Sequence, residues 1–237
     1  MAMNKVPTLI LGLGGIGCQI AAEISDKLSD EDRKYVGVVG MDTNVNDLKK
    51  LKEHGVKSIQ TSDQRLVKEY LELHPEYIKW FPINKFTVNR GMVNGAGQIR
   101  AISRLAGLAT QERGGFQVLD EEIRRILRLK GDDNNGNLTV MIVGSITGGT
   151  GAGLFLQMPF YIRNLLKHEA NLDAVVIRGM FVGPDITAGV QPSKINEEAV
   201  RVNGYTCLKE LNAFYMTQIL PDEDNLLELE FYDKGDR

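Results

Sequence analysis

The 237-residue chain has only two cysteines, Cys18 and Cys207, and a single tryptophan. Two cysteines so far apart form no disulfide framework, and neither a C-x-x-C pair nor a metal-type histidine spacing is present. No apolar run approaches the length that a membrane-spanning helix needs. These absences exclude a disulfide-stapled scaffold, a zinc ribbon and a helical membrane protein as interpretations of the sequence.

The chain also lacks a strong charge of either sign. Lysine and arginine total 28 and aspartate and glutamate 31, for a net charge of −3. This balance predicts neither a nucleic-acid partner nor an anionic membrane surface. The segment Met1–Lys5 before the first apolar run is too short for a signal peptide, so we expect a cytoplasmic protein.

Short apolar runs alternate with segments of helical periodicity along the chain. The runs are Val6–Leu11, Tyr35–Met41, Leu138–Gly144 and Asp173–Val182. They are nearly all apolar, as strands covered on both faces are. The alternation predicts an α/β fold, a doubly wound and mostly parallel sheet with helices on both faces. Ligands of such sheets bind at the carboxyl ends of the strands.

Helical periodicity or glycine and proline boundaries predict five helices, over Cys18–Leu28, Gln98–Gln111, Phe116–Lys130, Gly151–Lys167 and Ile195–Tyr215. Pro159 should bend the fourth helix, because proline has no backbone N–H. The connection Thr61–Asn89 is irregular, with Trp80 as a packing anchor.

We expect a nucleotide-binding domain over residues 1–215. Residues 216–237 are an acidic tail or the start of a continuation, in which Leu227–Phe231 has the alternation of an edge strand.

The most informative motif is Gly148-Gly149-Thr150-Gly151-Ala152-Gly153, which follows the third strand and opens a helix. Glycines let the backbone approach a ligand closely. The free amides at a helix N-terminus, together with the helix dipole, form an anion site. Thr150 adds a hydroxyl at the centre of this turn. We therefore predict that the turn binds a phosphate.

A second glycine cluster, Gly12-Leu13-Gly14-Gly15-Ile16-Gly17, follows the first strand and fits G-x-G-x-x-G. Alone it would also suit an NAD- or adenylate-binding Rossmann enzyme, with Asp42 as the acidic residue after the second strand, or mere close packing. Two such turns on one chain instead suggest two loops closing on one polyphosphate. Because no P-loop lysine is present, backbone amides and a Mg²⁺ ion held mainly by phosphate oxygens and water would offset the phosphate charge.

The residues at these turns resemble the tubulin and FtsZ superfamily of GTP-binding filament proteins. Gly148–Gly153 is similar to its G-G-G-T-G-[ST/A]-G signature, and Gly12–Gln19 is similar to the first nucleotide loop of FtsZ. Asp42-Thr43-Asn44 resembles the Asn-Thr-Asp of FtsZ. Gly95-Ala96-Gly97, with Arg90 and Arg104, resembles the loop that contacts the γ-phosphate. Glu197 and Arg201 repeat an E-x-x-x-R spacing whose members meet the ribose and the nucleotide.

The resemblance implies GTP or GDP with Mg²⁺ as the ligand and head-to-tail polymerisation of the full-length protein. In that family hydrolysis is completed by acidic residues from a second domain of a neighbouring subunit. We therefore expect this chain alone to bind nucleotide with little or no hydrolysis. The binding residues implied are Gly12, Gly14, Gly15, Gly17, Cys18, Gln19, Asp42, Asn44, Gly95, Ala96, Gly97, Thr147, Gly148, Gly149, Thr150, Gly151, Glu197 and Arg201.

Several of these residues have a plainer interpretation. Asp42 and Asn44 suit a helix cap as well as a ribose or a metal's water shell, and Glu197 and Arg201 suit an i,i+4 ion pair. Cys18 is either a thiol of lowered pKa beside the phosphates or a small packing residue. Gln19 stands where FtsZ-like proteins carry Asn, and Thr147 replaces the first signature glycine. These departures leave a non-catalytic tubulin-like scaffold as an alternative.

Overall fold

The computed structural model describes residues 6–93, 95–128, 138–170 and 175–219. The strands are β1 Thr8–Leu13, β2 Val36–Asp42, β3 Lys57–Gln60, β4 Asp63–Leu66, β5 Gly91–Met92, β6 Leu138–Ser145 and β7 Val175–Val182. The helices are α1 Gly14–Lys27, α2 Asp32–Tyr35, α3 Val45–Glu53, α4 Val67–Leu73, α5 Lys85–Val88, α6 Arg100–Glu112, α7 Gln117–Arg128, α8 Thr150–Leu154, α9 Gln157–Ala170, α10 Pro184–Thr187 and α11 Lys194–Ile219. Two 3-10 helices cover Pro75–Lys79 and Ala188–Val190.

Five strands form a parallel sheet in the order β3-β2-β1-β6-β7. Successive side chains of β1 point to opposite faces, as strand geometry requires. Leu9, Leu11 and Leu13 pack with α7 and α9, whereas Ile10 packs with α1 and α3. Helices therefore cover both faces, and the predicted doubly wound α/β fold is confirmed.

The register brings the carboxyl ends of the central strands to one level. Leu13 of β1 lies beside Met41 of β2 and Gly144 of β6. Both glycine clusters lie near this level, because the first overlaps the end of β1 and the second begins just after β6 ends. The strand order thus places two glycine turns next to each other at one edge of the sheet.

Several observed elements differ from the prediction. β1 begins at Thr8, two residues later than predicted, and ends at Leu13. β3 was not predicted, since only Ile59 of its four residues is buried and apolar. The single helix predicted over Gly151–Lys167 is wrong, because α8 ends at Leu154 and α9 begins at Gln157. Pro159 lies in the first turn of α9, where a missing N–H costs no helical hydrogen bond.

The connection predicted to be irregular contains a small folded unit. β4 and β5 pair antiparallel, and α4, α5 and a 3-10 helix lie between them. This unit shares a second hydrophobic core with α6, built on buried residues such as Tyr70, Met92 and Leu105. Trp80 packs against this core, which confirms its predicted role as an anchor.

The C-terminal expectations have different outcomes. α11 continues through residue 215 to Ile219, so the predicted domain boundary falls within a helix. The alternating segment Leu227–Phe231 lies outside the described residues. Within the described parts of the chain, no helix is long and apolar enough to cross a membrane.

Candidate functional site

A cleft of about 470 Å³ opens at the carboxyl edge of the sheet. Its walls come from the two glycine turns, the start of α3, the loop before α6 and the segment leading into α11. The lining residues are Leu13, Gly14, Gly15, Ile16, Asp42, Thr43, Asn44, Asp47, Gly95, Ala96, Gly97, Gln98, Ser145, Thr147, Gly148, Gly149, Thr150, Gly151, Thr187, Gln191 and Val200.

The two glycine turns are packed directly against each other. Gly14 has a φ of +73°, which side-chain-bearing residues rarely adopt, and a Cβ there would lie 3.0 Å from the amide nitrogen of Gly151. A Cβ on Gly151 would lie 2.3 Å from the carbonyl oxygen of Ser145. Glycine at these two positions therefore lets both backbones reach the floor of the cleft.

Gly148 and Gly149 face different surroundings in the second turn. A Cβ on Gly149 would lie 3.0 Å from Cβ of Ala96 and 3.2 Å from Cα of Gln98, so this residue packs on the loop before α6. A Cβ on Gly148 would meet no atom within 4 Å. Gly148 therefore borders open space in the cleft.

The backbone amides of the turns remain available to a ligand. Within the described part of the chain, the amides of Gly148–Gly151 have no hydrogen-bond acceptor. α1 likewise begins without a side-chain cap at Leu13 and without an acidic residue in its first turn. Uncapped amides that converge on a cleft are suited to bind an anion.

A buried hydrogen-bond chain connects three walls of the cleft. The amide of Ala96 donates to Oγ1 of Thr43 at 3.1 Å, and the Thr43 and Thr150 hydroxyl oxygens lie 2.9 Å apart. Thr150 Oγ1 donates to Oδ1 of Asp42 at 2.8 Å, between residues 108 positions apart. The Thr150 hydroxyl is therefore held by the protein, which leaves the amides of its turn as the groups facing a ligand.

Asp42 is a buried carboxylate, with its side chain 3% exposed. Burial raises its pKa, and the hydrogen bonds from the amide of Asn44 and from Thr150 offset only part of that effect. The neighbouring charge of Asp47 raises the pKa further. This carboxylate is engaged inside the protein and serves to hold the turn containing Thr150.

Asn44 caps a helix, which is one of the two roles that the sequence left open. Its Oδ1 accepts from the amide of Asn46 at 3.0 Å, which makes it the N-cap of α3. Its Nδ2 donates to Asp47 Oδ2 at 3.1 Å, and both residues line the cleft. The capping interpretation is therefore confirmed for Asn44, and contact with a ligand stays a prediction.

Among the described residues that line the cleft there is no lysine or arginine, but there are the carboxylates Asp42 and Asp47. A Cβ on Gly15 would lie 3.3 Å from Oδ2 of Asp47 and 3.9 Å from Oδ2 of Asp42, so both carboxylates approach the first turn. Oxygen donors of this kind suit Mg²⁺. Among the described residues no group of three or more metal-ligating side chains occurs. This donor set fits an ion that takes most of its ligands from phosphates and water.

Some predicted ligands lie outside the cleft lining. A Cβ on Gly12 would lie 2.3 Å from the Gly17 carbonyl oxygen, and one on Gly17 would lie 2.4 Å from that of Val143, so both glycines serve close packing. Gln19 is exposed on α1, where its amide lies 3.5 Å from Glu23 Oε1. Their role as direct ligands stays a prediction that the cleft lining does not support.

Cys18 is a packing residue in this structure. Its side chain is buried between α1 and β2, with Sγ 3.8 Å from the carbonyl oxygen of Met41. Burial, with the nearby charges of Asp42 and Asp47, raises the pKa of the thiol. The interpretation of a thiol of lowered pKa is contradicted, because burial and the two nearby carboxylates shift the pKa of Cys18 in the opposite direction.

Glu197 and Arg201 form an exposed i,i+4 ion pair, with Arg201 Nη2 3.0 Å from Glu197 Oε1. Neither lines the cleft, although Val200 between them does. The guanidinium of Arg90 stacks on Phe86 and that of Arg104 on Trp80, with 4.3 Å and 4.5 Å from the guanidinium carbon to the ring centroid. All four stay predictions as nucleotide ligands.

The sequence pattern missed lining residues on segments without a motif. Gln98, Thr187, Gln191 and Val200 reach the cleft from the loop before α6 and from the approach to α11. Asp47 was missed as well, although its position in the first turn of α3, five residues after Asp42, was a usable signal.

Two comparisons with known proteins returned matches to the chain. A family model described as "Tubulin like" matches residues 9–234. Among solved structures, the chain is similar to CetZ from Methanosaeta thermophila strain DSM 6194, with 17% identity and a TM-score of 0.39 over 93% of this chain. The match covers 56% of that structure, so the chain spans little more than half its length. No curated protein matches the chain.

Proposed function

The chain belongs to the tubulin-like family, and from that premise we propose that its cleft binds the polyphosphate of a guanine nucleotide together with Mg²⁺. One observation carries the proposal. Two glycine turns from adjacent parallel strands present uncapped amides to a single cleft whose lining, over the described residues, includes no lysine or arginine. Amides at that edge bind phosphate without a lysine, and a divalent cation compensates the remaining charge.

Mg²⁺ would be held chiefly by the phosphates and by water, with Asp47 and Asp42 as the nearby carboxylates. The ion would neutralise part of the negative charge of the phosphates. This requirement follows from the lining itself, because two carboxylates without a cation repel a polyphosphate. We therefore expect nucleotide binding to depend on Mg²⁺.

The Rossmann alternative requires an acidic side chain free to bind a ribose after β2. Asp42 occupies that position, but its Oδ1 accepts hydrogen bonds from Thr150 and from the amide of Asn44. Its engagement with the second glycine turn favours the guanine-nucleotide proposal over NAD.

Assembly and hydrolysis extend the proposal to the longer protein. The rim of the cleft beside Thr187 and Gln191 carries Ile186, Val190 and Ile195, which are 71%, 79% and 78% exposed. Exposed aliphatic residues grouped at a binding site support a protein contact there. We propose cytoplasmic self-association over this rim, with hydrolysis completed by groups that a neighbouring subunit supplies. The chain alone then hydrolyses GTP slowly or not at all.

The test is a calorimetric titration of this chain with GTP, GDP, ATP and NAD, with and without Mg²⁺. We expect guanine nucleotides to bind most tightly, and Gly148→Val to weaken that binding by at least about tenfold, because its side chain enters the cleft. The fold should be unaffected, since no atom lies within 4 Å of the added Cβ. Gly91→Val is the matched control, because Gly91 is equally unobstructed but lies outside the lining.

Preference for NAD would move the assignment to the Rossmann alternative, and absence of all binding would favour the non-catalytic scaffold. Sedimentation of the longer protein with and without GTP tests self-association. Nucleotide-dependent pelleting that Val190→Asp abolishes would support the rim as the contact, whereas unchanged pelleting would overturn it.

A further inference from the structure

Two loops of the cleft touch each other but belong to distant parts of the chain. The loop before α6 contributes Gln98, and the second glycine turn contributes Thr147 and Gly149. Their contact is close, because a Cβ on Gly149 would lie 3.2 Å from Cα of Gln98. The shape of the cleft therefore depends on how these two loops are held relative to each other.

The backbone of Gln98 adopts a left-handed conformation, which is unfavourable for a residue with a side chain. Its φ is +62°, and it is the one residue other than glycine with a positive φ in the described chain. A side-chain-bearing residue persists in that region only where its surroundings hold it. The contacts that hold Gln98 are therefore part of the architecture of the cleft.

Asn203 of α11 supplies these contacts. Its side chain is 9% exposed, and its Nδ2 donates to the carbonyl oxygens of Gln98 and Thr147, each at 3.0 Å. A primary amide has two donor hydrogens. Asn203 therefore uses one for each loop and has no donor left for a ligand.

The same face of α11 also contacts the two helices, α6 and α8, that follow these loops. Glu210 pairs with Arg100, two residues after Gln98, with Oε1 2.8 Å from Arg100 Nη1. Cys207 Sγ lies 3.6 Å from the carbonyl oxygen of Ala152, which follows the second glycine turn. Residues 203, 207 and 210 are spaced i, i+4, i+7 and so share one helix face. That face joins α11 to both loops.

We propose that Asn203 is a positioning residue that sets the spacing of the two cleft loops for the polyphosphate and couples occupation of the cleft to the order of α11. The proposal rests on nucleotide binding by the cleft and adds a residue that does not touch the ligand. Coupling of this kind is reciprocal. A ligand that orders the loops should therefore also stabilise α11, and loosening α11 should weaken binding.

Asn203→Asp tests this coupling at nearly constant shape. The introduced carboxylate replaces both donors by an acceptor facing two carbonyl oxygens. We expect guanine-nucleotide affinity at pH 7.5 to fall by about tenfold or more. Lowering the pH towards 5 should reduce the difference in nucleotide affinity between wild type and variant, because a protonated carboxyl group recovers one hydrogen-bond donor. Asn212→Asp, the same change on the exposed part of α11, is the matched control and should leave the affinity unchanged.

A second control separates positioning from general stability. Ile123→Val removes one methyl group from the core under α7, far from these ties, and should lower the melting temperature without changing affinity. The proposal is overturned if Asn203→Asp folds and binds within twofold of the wild type, or if its loss of affinity does not respond to pH. If the wild type itself binds no nucleotide, the proposed function fails first, which the wild-type titration distinguishes.

Hydrogen exchange of the wild-type chain gives a readout that does not depend on the variant's folding. Addition of GDP and Mg²⁺ should slow exchange in the glycine turns and also along residues 200–211 of α11. Protection of the turns with unchanged exchange in α11 would contradict the coupling.

Discussion

The turn after β1 and the turn after β6 have similar glycine content but place their glycines differently. In the first turn, Gly12 and Gly17 are pressed against backbone carbonyl oxygens, and Gly14 and Gly15 reach the cleft. In the second, the residues Gly148–Gly151 all line the cleft. The first turn is therefore divided between residues that only pack and residues that line the cleft, whereas residues 148–151 of the second turn all border the cleft and only Gly148 among them has open space at its Cβ position.

This comparison explains why a glycine pattern alone is a weak signal of binding. A glycine is needed wherever a Cβ would collide, and the collision can involve either the protein or a ligand. Gly17 and Gly148 illustrate the two cases, one with a carbonyl oxygen 2.4 Å from its Cβ position and one with open space. The same substitution should therefore destabilise the fold strongly at Gly17 and hardly at all at Gly148.

The largest expected effect is that of Gly17→Ala on stability. The added Cβ meets the Val143 carbonyl oxygen on a central strand, which cannot move aside, so we expect a loss of about 3 kcal/mol in the free energy of unfolding. Gly148→Ala should change it by less than about 0.5 kcal/mol. Urea denaturation of both variants measures the difference. Equal destabilisation would show that the two turns do not differ as described.

A smaller effect concerns the carboxylate that joins β2 to the second turn. The pKa of Asp42 is raised, so the folded protein keeps this proton to higher pH than the unfolded chain does. Its contribution to stability is therefore lost as pH rises from the ordinary aspartate pKa of about 3.9 through the raised pKa, by about 1.4 kcal/mol for each tenfold difference between the acid dissociation constants of the folded and unfolded states. Denaturation of Asp42→Asn against wild type between pH 4 and 7 should show this slope only in the wild type.

Asp30→Asn is the control for that measurement, because Asp30 is exposed. A stability difference between wild type and Asp42→Asn that stays constant with pH would show that the pKa of Asp42 is the same in the folded and unfolded states. The hydrogen bonds from Thr150 and from the amide of Asn44 would then offset the whole effect of burial on that pKa.

The smallest expected effect concerns the Cys18 thiol beside the first turn, which we expect to be unreactive in the native protein. Cys18 lies in the first turns of α1, but burial raises its thiol pKa, so native protein should react with a disulfide reagent at pH 8 far more slowly than unfolded protein. The variant Cys207→Ala leaves Cys18 as the one thiol, and colour release with and without urea measures its reactivity. Rapid reaction in the native state would restore the interpretation of an activated thiol.

Much of the fold followed from local pattern. The apolar runs predicted all four longer strands of the sheet, and the glycine clusters predicted where two of them end. β3 and the folded unit over residues 63–92 were missed, because short half-exposed strands and brief helices carry little periodicity. Helix α8 was merged with α9, since apolar residues continue across Phe155 and Leu156, where the helix breaks.

In the candidate site, too, some features followed from the local sequence and others only from the tertiary structure. The sequence by itself determined the alternation of strands and helices, the sharp turns at glycine and the position of both turns at strand ends, because covalent geometry and burial act over a few residues. Only the tertiary structure decided which glycines face the cleft, that Thr150 donates to Asp42, and that Asn203 holds Gln98 beside Thr147. These partners lie 56 to 108 positions apart, and their meeting depends on the strand order and on helix packing.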